Sequence, residues 1–274
     1  MSYTKVFLTT LVLACIATAE QSDKSKTGPI QDNSFFLEEA YNQEAGVVQH
    51  ISTFNRDLHS KDWSYSFTQE WPLGSQTHQF SYTLPVTHSN SFPDGRAGLG
   101  DIALNYRYQL LGNGEAKLAI APRFSILPPT GDYREGRGAG GMGYQGQLPV
   151  SWVLTDYLVS HTNVGFTITP RARDGSGFRG NLSTWNVGQS LVWLAHPRFN
   201  VLLEWVHTRA QSIAGSGTVN TERSTYISPG IRWAHNLASG MQIVPGIAVP
   251  IGLGSGREDR SIFLYLSFEH AFKK

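Results

Sequence analysis

From about residue 45 onward the chain repeats with a period of two. The stretch DIALNYRYQLL sets Ile102, Leu104, Tyr106, Tyr108 and Leu110 on one side of an extended chain, and Asp101, Asn105, Arg107 and Gln109 on the other. Such a pattern fixes a strand with one dry face, but not what makes that face dry. In a soluble sheet the apolar side meets a core. In a membrane barrel it meets lipid and the polar side turns inward.

Following the alternation yields about twelve strands, near 45–56, 62–72, 77–87, 99–111, 116–128, 143–155, 157–169, 181–194, 199–211, 222–235, 240–252 and 261–272. Most exceed ten residues, the length a tilted strand needs to cross a bilayer, about 9 to 11. The connections point the same way. LGNGE, TD, AHPRF and HNLAS are short, whereas THSNSFPDGRAG, PPTGDYREGRGAGG, PRARDGSGFRG and QSIAGSGTVNT are long, and the two kinds alternate. Short periplasmic turns facing longer outer loops are the habit of transmembrane barrels, and a secreted sandwich has no reason to produce them. The expected fold is therefore all-β: a twelve-stranded antiparallel transmembrane β-barrel of the outer membrane, spanning residues 45–272.

The apolar faces are rich in rings. Trp63, Tyr65, Phe67 and Trp71 share one strand face, and Trp185, Val187, Leu191 and Trp193 another, as an interfacial girdle requires. The last strand places Ile262, Leu264, Leu266, Phe268, His270 and Phe272 on one face, two residues short of the C-terminus.

The N-terminus supplies a route to that membrane. MSYTKVFLTTLVLACIATAE holds Lys5, an apolar run from Val6 to Ala14 and Ala17-Thr18-Ala19, a secretory signal over residues 1–19 cut after Ala19. Cleavage at Cys15, as in a lipoprotein, is the weaker alternative, because Leu13 is bulky for that site. Loss of residues 1–19 removes Lys5 and the single cysteine, leaving 21 basic and 21 acidic residues and no thiol, which suits an oxidising compartment. A net charge this close to zero does not favour nucleic acid as a partner.

Three stretches carry a family resemblance: GLGDIALNYRYQLL at Gly98–Leu111, RFSILPPTGDYREG at Arg123–Gly136 and IFLYLSFEHAFK at Ile262–Lys273. With them the chain resembles the outer-membrane transporter family named for the MetA pathway of phenol degradation. The resemblance implies a channel or transporter in the outer membrane, passive or gated, for small, hydrophobic or aromatic compounds. A terminal strand of this kind resembles the signal read by the barrel-assembly machinery, so lipid and that machinery are the implied partners.

Taking the polar faces as the interior nominates Glu70, Asp101, Arg107, Lys117, Arg123, Gln145, Gln147, Glu204, Arg232 and Glu269 as pore-lining candidates, with Asn163, Asn186, Tyr226 and Tyr265 among them. Four basic and four acidic side chains favour internal pairing over strong ion selectivity. Twelve strands fall between filled eight-stranded barrels and open porins, which implies a narrow or gated path; a non-conducting, packed barrel is the alternative.

Residues 20–44 fall outside the alternation. NSFFLEEAYNQEAG opens with a capping residue, Asn33 or Ser34, and carries Phe35, Phe36, Leu37 and Tyr41 on a candidate short helix, either a plug in the barrel or a periplasmic segment.

Catalytic and cofactor motifs are poor fits. Gly138, Gly140 and Gly143 match a dinucleotide fingerprint by letter but lead into a strand rather than a helix. The nine histidines show no metal spacing, so neither metal nor cofactor is implied. A phospholipase-like enzyme would need Ser160, His161 and Asn163 together. Ser160 and His161 point to opposite faces, which defeats the pair unless a second strand supplies one member.

Overall fold

A computed structural model describes residues 30–213, 217–238 and 241–271. The signal reading for 1–19, the first part of the 20–44 segment, and Phe272 at the C-terminal end lie outside the described residues.

Sixteen strand segments, β1 to β16, form one antiparallel sheet that closes on itself as a barrel of twelve staves. Nine staves are single strands: β1 (Val47–Asp57), β2 (Trp63–Leu73), β3 (Ser75–His88), β8 (Gly143–Thr155), β9 (Leu158–Arg173), β10 (Arg179–His196), β11 (Phe199–Ile213), β12 (Val219–Trp233) and β16 (Ser261–Ala271). The others are interrupted. One joins β4 (Gly98–Leu99) to β5 (Ala103–Tyr108), the next β6 (Leu118–Ile120) to β7 (Arg123–Leu127), and the third β14 (Gln242–Ala248) to β15 (Ile251–Gly252), with β13 (His235–Asn236) pairing β14 at its short-turn end. Closure comes from β16, which pairs β1 from Val47↔Ala271 to Asp57↔Ser261 and β14 on its other side; β14 and β15 in turn pair β12.

The staves expected at 116–128 and 240–252 are thus each broken once. Pro122 and Pro250 sit in those breaks, where a residue without an N–H cannot continue the ladder. The stave expected at 99–111 is broken at 100–102, where Gly100 N–H still donates to Pro85 O at 2.9 Å but Ile102 N–H turns aside to donate to Thr130 Oγ1 at 2.8 Å. Two expected long loops are shorter than the sequence suggests, because β9 runs on to Arg173 and β11 to Ile213; both continue the alternation beyond the length a bilayer requires. The longest described loops, 89–97 and 128–142, lie at the same end of the barrel.

The dry side is the outside. Along β5, Leu104 and Tyr106 are each 42% exposed, whereas Asn105 and Arg107 are 5% and 3%. Phe124, Trp152, Phe166, Trp193 and Leu203 continue the outward apolar surface around the barrel. The buried polar residues are instead inward ones, including Gln79, Ser125, Asn163, Ser190 and Glu204. Neighbouring strands knit the wall together from within, as in Thr53 with Ser66 at 2.7 Å and Thr68 with Thr83 at 2.8 Å. Such an exterior needs hydrocarbon around it, and closure removes the sheet edges that hydrocarbon forbids.

Candidate functional site

Residues 30–44 lie inside the barrel. The short helix expected from Asn33 or Ser34 does not form, because the backbone N–H groups that a helix would turn on itself are taken by side chains of the wall. Glu204 Oε1 accepts from the N–H of Phe35, Phe36 and Leu37 at 3.1, 3.0 and 3.3 Å. Asn163 takes the N–H of Glu38 at 2.9 Å and returns a bond to its carbonyl at 2.8 Å. Ser151 Oγ, Gln109 Oε1 and Gln79 Oε1 accept from Ala40, Asn42 and Gln43 at 2.7, 2.9 and 2.7 Å. A strand lacking neighbours is in effect supplied with them one side chain at a time.

Two arginines hold the carbonyls. Arg107 donates to Glu39 O and Tyr41 O and, from Nε, to Asn42 Oδ1 at 2.9 Å; its guanidinium lies 3.8 Å from Glu38 and 3.6 Å from Glu70. Arg232 donates to Gln31 O and Asn33 O and stacks over the Tyr265 ring at 4.9 Å. Arg123 completes the set with a two-oxygen grip on Glu38, 3.0 and 2.9 Å from Nε.

The wall also leaves room for the segment's apolar side chains. A Cβ on Gly188 would lie 2.5 Å from Leu37 Cδ2, and one on Gly230 or Gly246 within 2.7 Å of the Phe35 ring. Glycine at these strand positions permits close approach, and the segment rests in the sockets so made. Phe35 and Phe36 then meet Phe263 at centroid distances of 5.4 and 4.5 Å.

The segment divides the lumen. Toward the long loops lies a cavity of about 560 Å³ bounded by Glu38, Glu70, Arg107, Arg123 and Gln145, with serines and threonines between them. Toward the short turns lies one of about 610 Å³, where every charged lining residue is acidic: Asp32, Glu39, Glu44 and Glu115. Glu39 borders both. The balance of inward charges read from the sequence therefore shifts toward acid, since residues 30–44 add Asp32, Glu38, Glu39 and Glu44 and no basic residue.

The sequence-nominated residues separate into groups. Glu70, Arg107, Arg123 and Gln145 converge on the outer cavity, and Glu204 and Arg232 grip the segment. Glu269 accepts from Gln49 Nε2 at 2.9 Å, and Gln147 fills the space beside Gly165 with its carbonyl oxygen unpartnered. Asp101 stands apart at the loop end, taking Gly131 N–H at 2.9 Å and Ala139 N–H at 2.7 Å, so it ties the 128–142 loop to the wall. Lys117 is exposed in the turn between β5 and β6. Gln79, Gln109, Ser151 and His161, which also bind the segment, were not among the nominees; their only sequence signal is an inward position.

A second strand does bring a serine to His161. Ser151, on β8, lies 2.7 Å from His161 Nδ1, and His161 Nε2 faces Asp32 O at 2.9 Å. Ser151 and His161 are almost fully buried, and Ser151 Oγ already accepts Ala40 N–H. As arranged, Ser151, His161 and Asp32 fasten the segment to the wall.

A closed antiparallel barrel of twelve staves with an apolar exterior and a polar lumen defines an outer-membrane β-barrel protein. The fold is similar to that of an outer membrane channel from Pseudomonas putida F1, with a TM-score of 0.63 at 13% identity over 87% of this chain and 100% of that one. It is also similar to NanC porin, with a TM-score of 0.53 at 12% identity over 80% of this chain and 98% of that one. The sequence matches the family described as "Putative MetA-pathway of phenol degradation" over residues 25–243, and the chain belongs to that family. No curated protein matches the sequence.

Proposed function

We propose that this protein is a gated outer-membrane channel for small, hydrophobic or aromatic compounds, with residues 30–44 as its plug. One observation carries this reading: the segment separates two cavities of several hundred cubic ångströms, and it is held by hydrogen bonds and ion pairs to side chains of the wall rather than by the wall's own backbone ladder. A barrel that only had to be stable would more simply fill its lumen with wall side chains, as smaller barrels do. Glu70, Arg107, Arg123 and Gln145 line the outer path in this reading, while Glu204 and Arg232 serve as clasps. No catalysis is assigned. Assembly through recognition of the β16 strand by the barrel-assembly machinery belongs to the same proposal.

The test is conductance in planar bilayers of the full chain and of a form lacking residues 30–44. The full chain is expected to open rarely, and the shortened form to conduct continuously with steps at least about tenfold more frequent, since about 1.4 kcal/mol of lost docking already shifts an equilibrium that far. Electrical silence in both forms would return the barrel to the packed, structural alternative.

A further inference from the structure

Charge at the outer end of the barrel is arranged differently on its two sides. At the long loops Arg137 is paired with Asp94. On β9 to β12 arginines instead face one another: Arg209 stands directly opposite Arg223, and Arg173 directly opposite Arg179. Like charges so placed destabilise a sheet unless something anionic lies between them. Among the described residues none of the four is in an ion pair. Arg209 donates to Thr221 Oγ1 at 3.5 Å and Arg173 lies 6.0 Å over the Tyr133 ring, and neither contact supplies a counter-charge. Both pairs belong to the lipid face. Arg209 is also directly opposite Trp185, which points outward and is 40% exposed. From Trp185 to Arg179 β10 alternates without a slip, because the extra residue in its pairing with β9 is on β9, where Pro170 and Arg171 together oppose Asn181. The nearby acids are engaged elsewhere. Asp174 Oδ1 accepts from the N–H of Ser176 and Phe178 at 3.0 and 2.9 Å, and Glu222, opposite Ala210, is on the inward face.

We propose that the outward face of β9 to β12, at the loop end, docks a glycolipid of the outer leaflet whose head group carries two or more phosphates. Arginine meets phosphate with a planar fork of donors, and a phosphate between two opposed guanidiniums turns their repulsion into paired charge. One phosphate serves Arg209 and Arg223 beside Trp185, whose ring marks the level where acyl chains give way to head groups. From there the acyl chains run along Phe166 and Ile168, 55% and 44% exposed on the same face. The second pair lies about 20 Å farther along the strand, too far for the same phosphate to reach. A lipid with a single phosphate therefore satisfies only half of the surface. An anionic protein is the poorer occupant, since this face of the barrel meets lipid wherever it sits in its membrane. The surface lies outside the lumen, so the inference goes beyond the channel reading and stands whether or not the barrel conducts.

Fluorescently labelled lipopolysaccharide tests it, titrated against the full-length protein in non-ionic detergent micelles and read by anisotropy, with empty micelles as the blank. Saturable binding is expected, weakening as salt is raised. Affinity should fall at least about tenfold in Arg209→Gln/Arg223→Gln and again in Arg173→Gln/Arg179→Gln, since each variant removes two charged donors. Arg56→Gln/Lys61→Gln takes the same charge from the outer end on the far side of the barrel and should bind as the native protein does. Phosphatidylglycerol, and lipopolysaccharide stripped of its phosphates, should each compete at least about tenfold more weakly than the intact glycolipid. Heat-dependent gel migration checks that each variant is a folded barrel, and if one arginine pair fails that check the other decides. Absence of saturation, or affinity unchanged in both arginine variants, overturns the surface. An equal loss in Arg56→Gln/Lys61→Gln would assign binding to net charge and overturn it too. A loss confined to one arginine pair, or equal competition by either single-phosphate or phosphate-free lipid, overturns the occupant with two phosphates.

Discussion

The two cavities divided by residues 30–44 are of similar size and opposite character. The outer one sets Arg107 and Arg123 among Glu38, Glu39 and Glu70, so most of its charge is paired within a few ångströms. The periplasmic one gathers Asp32, Glu39, Glu44 and Glu115 with no basic lining residue. Three of those four acids belong to the segment rather than to the wall. The charge of that cavity is therefore set mostly by what crosses the barrel, so under the proposed gating a displaced segment should change selectivity together with aperture.

The comparison breaks most readily at Arg107. Its guanidinium is 3% exposed, bonds three atoms of the segment and faces two carboxylates. Arg107→Ala leaves Glu70 short of a counter-charge, while Glu38 keeps Arg123, and should cost about 3 to 5 kcal/mol of plug docking, the usual loss when one partner of a buried pair is removed. Frequent openings in planar bilayers are the expected readout, with the barrel still resistant to detergent. Arg123→Ala, which removes a more accessible grip on Glu38, should open the channel less. Equal effects would mean that the segment is not held more tightly from the Arg107 side.

Glu204 offers a smaller and cleaner perturbation. Its Oε1 gathers three consecutive N–H groups at the plug's turn, and no basic group lies within ion-pair distance among the described residues. Glu204→Ala should weaken docking by about 1 to 3 kcal/mol, the penalty for stranding buried donors. Glu204→Gln keeps an accepting oxygen and should restore most of the closed state. If glutamine opens the channel as fully as alanine, charge rather than hydrogen bonding holds this end.

The wall was legible in the sequence, and the plug only half so. Alternation alone places Arg107, Arg123, Glu204 and Arg232 inside, because a period of two leaves no freedom once the exterior is apolar. Their shared purpose was hidden, since residues 30–44 have no period and their partners stand far away in the chain, as Gln31 and Arg232 do. The same segment invites a helix by local preference, yet the lumen offers its N–H groups better partners; tertiary contacts override a weak local signal. Lys117 has the right parity and the wrong depth, for alternation reads a side chain's face and not its height. The proline at two of the three broken staves was visible, but a lone proline does not reveal whether the ladder resumes beyond it.

Charge at the periplasmic mouth gives a subtler test. Glu39→Gln/Glu44→Gln removes two of the four acids there while leaving the outer pairs of Arg107 and Arg123 with Glu38 in place. In a salt gradient the reversal potential should move away from cation preference by a modest amount, shrinking further at high salt as screening grows. An unchanged potential would show that permeating ions do not pass the acidic cavity.

The smallest expected effect concerns the loops above the outer cavity. Arg137 donates to Asp94 at 2.8 Å, linking loop 128–142 to loop 89–97, with its guanidinium 5.8 Å over the Phe92 ring. The hydrogen bond from Arg137, aided by the Arg96 N–H, holds the Asp94 carboxyl below the usual carboxylate range. A depressed carboxylate stabilises the folded arrangement fully above its ordinary value and loses that contribution as pH falls through the lowered one, so the link should persist at neutral pH and release only in strong acid. Hydrogen exchange of the 89–97 amides should accordingly rise at low pH in the native protein, whereas Asp94→Asn should show raised exchange already at neutral pH and little further change on acidification. Screening in water keeps such a contact weak, so the change should stay below about fivefold and leave the conductance of an open barrel unaltered. A large acid effect that persists in Asp94→Asn would move the pH response from the loops to the carboxylates around the plug.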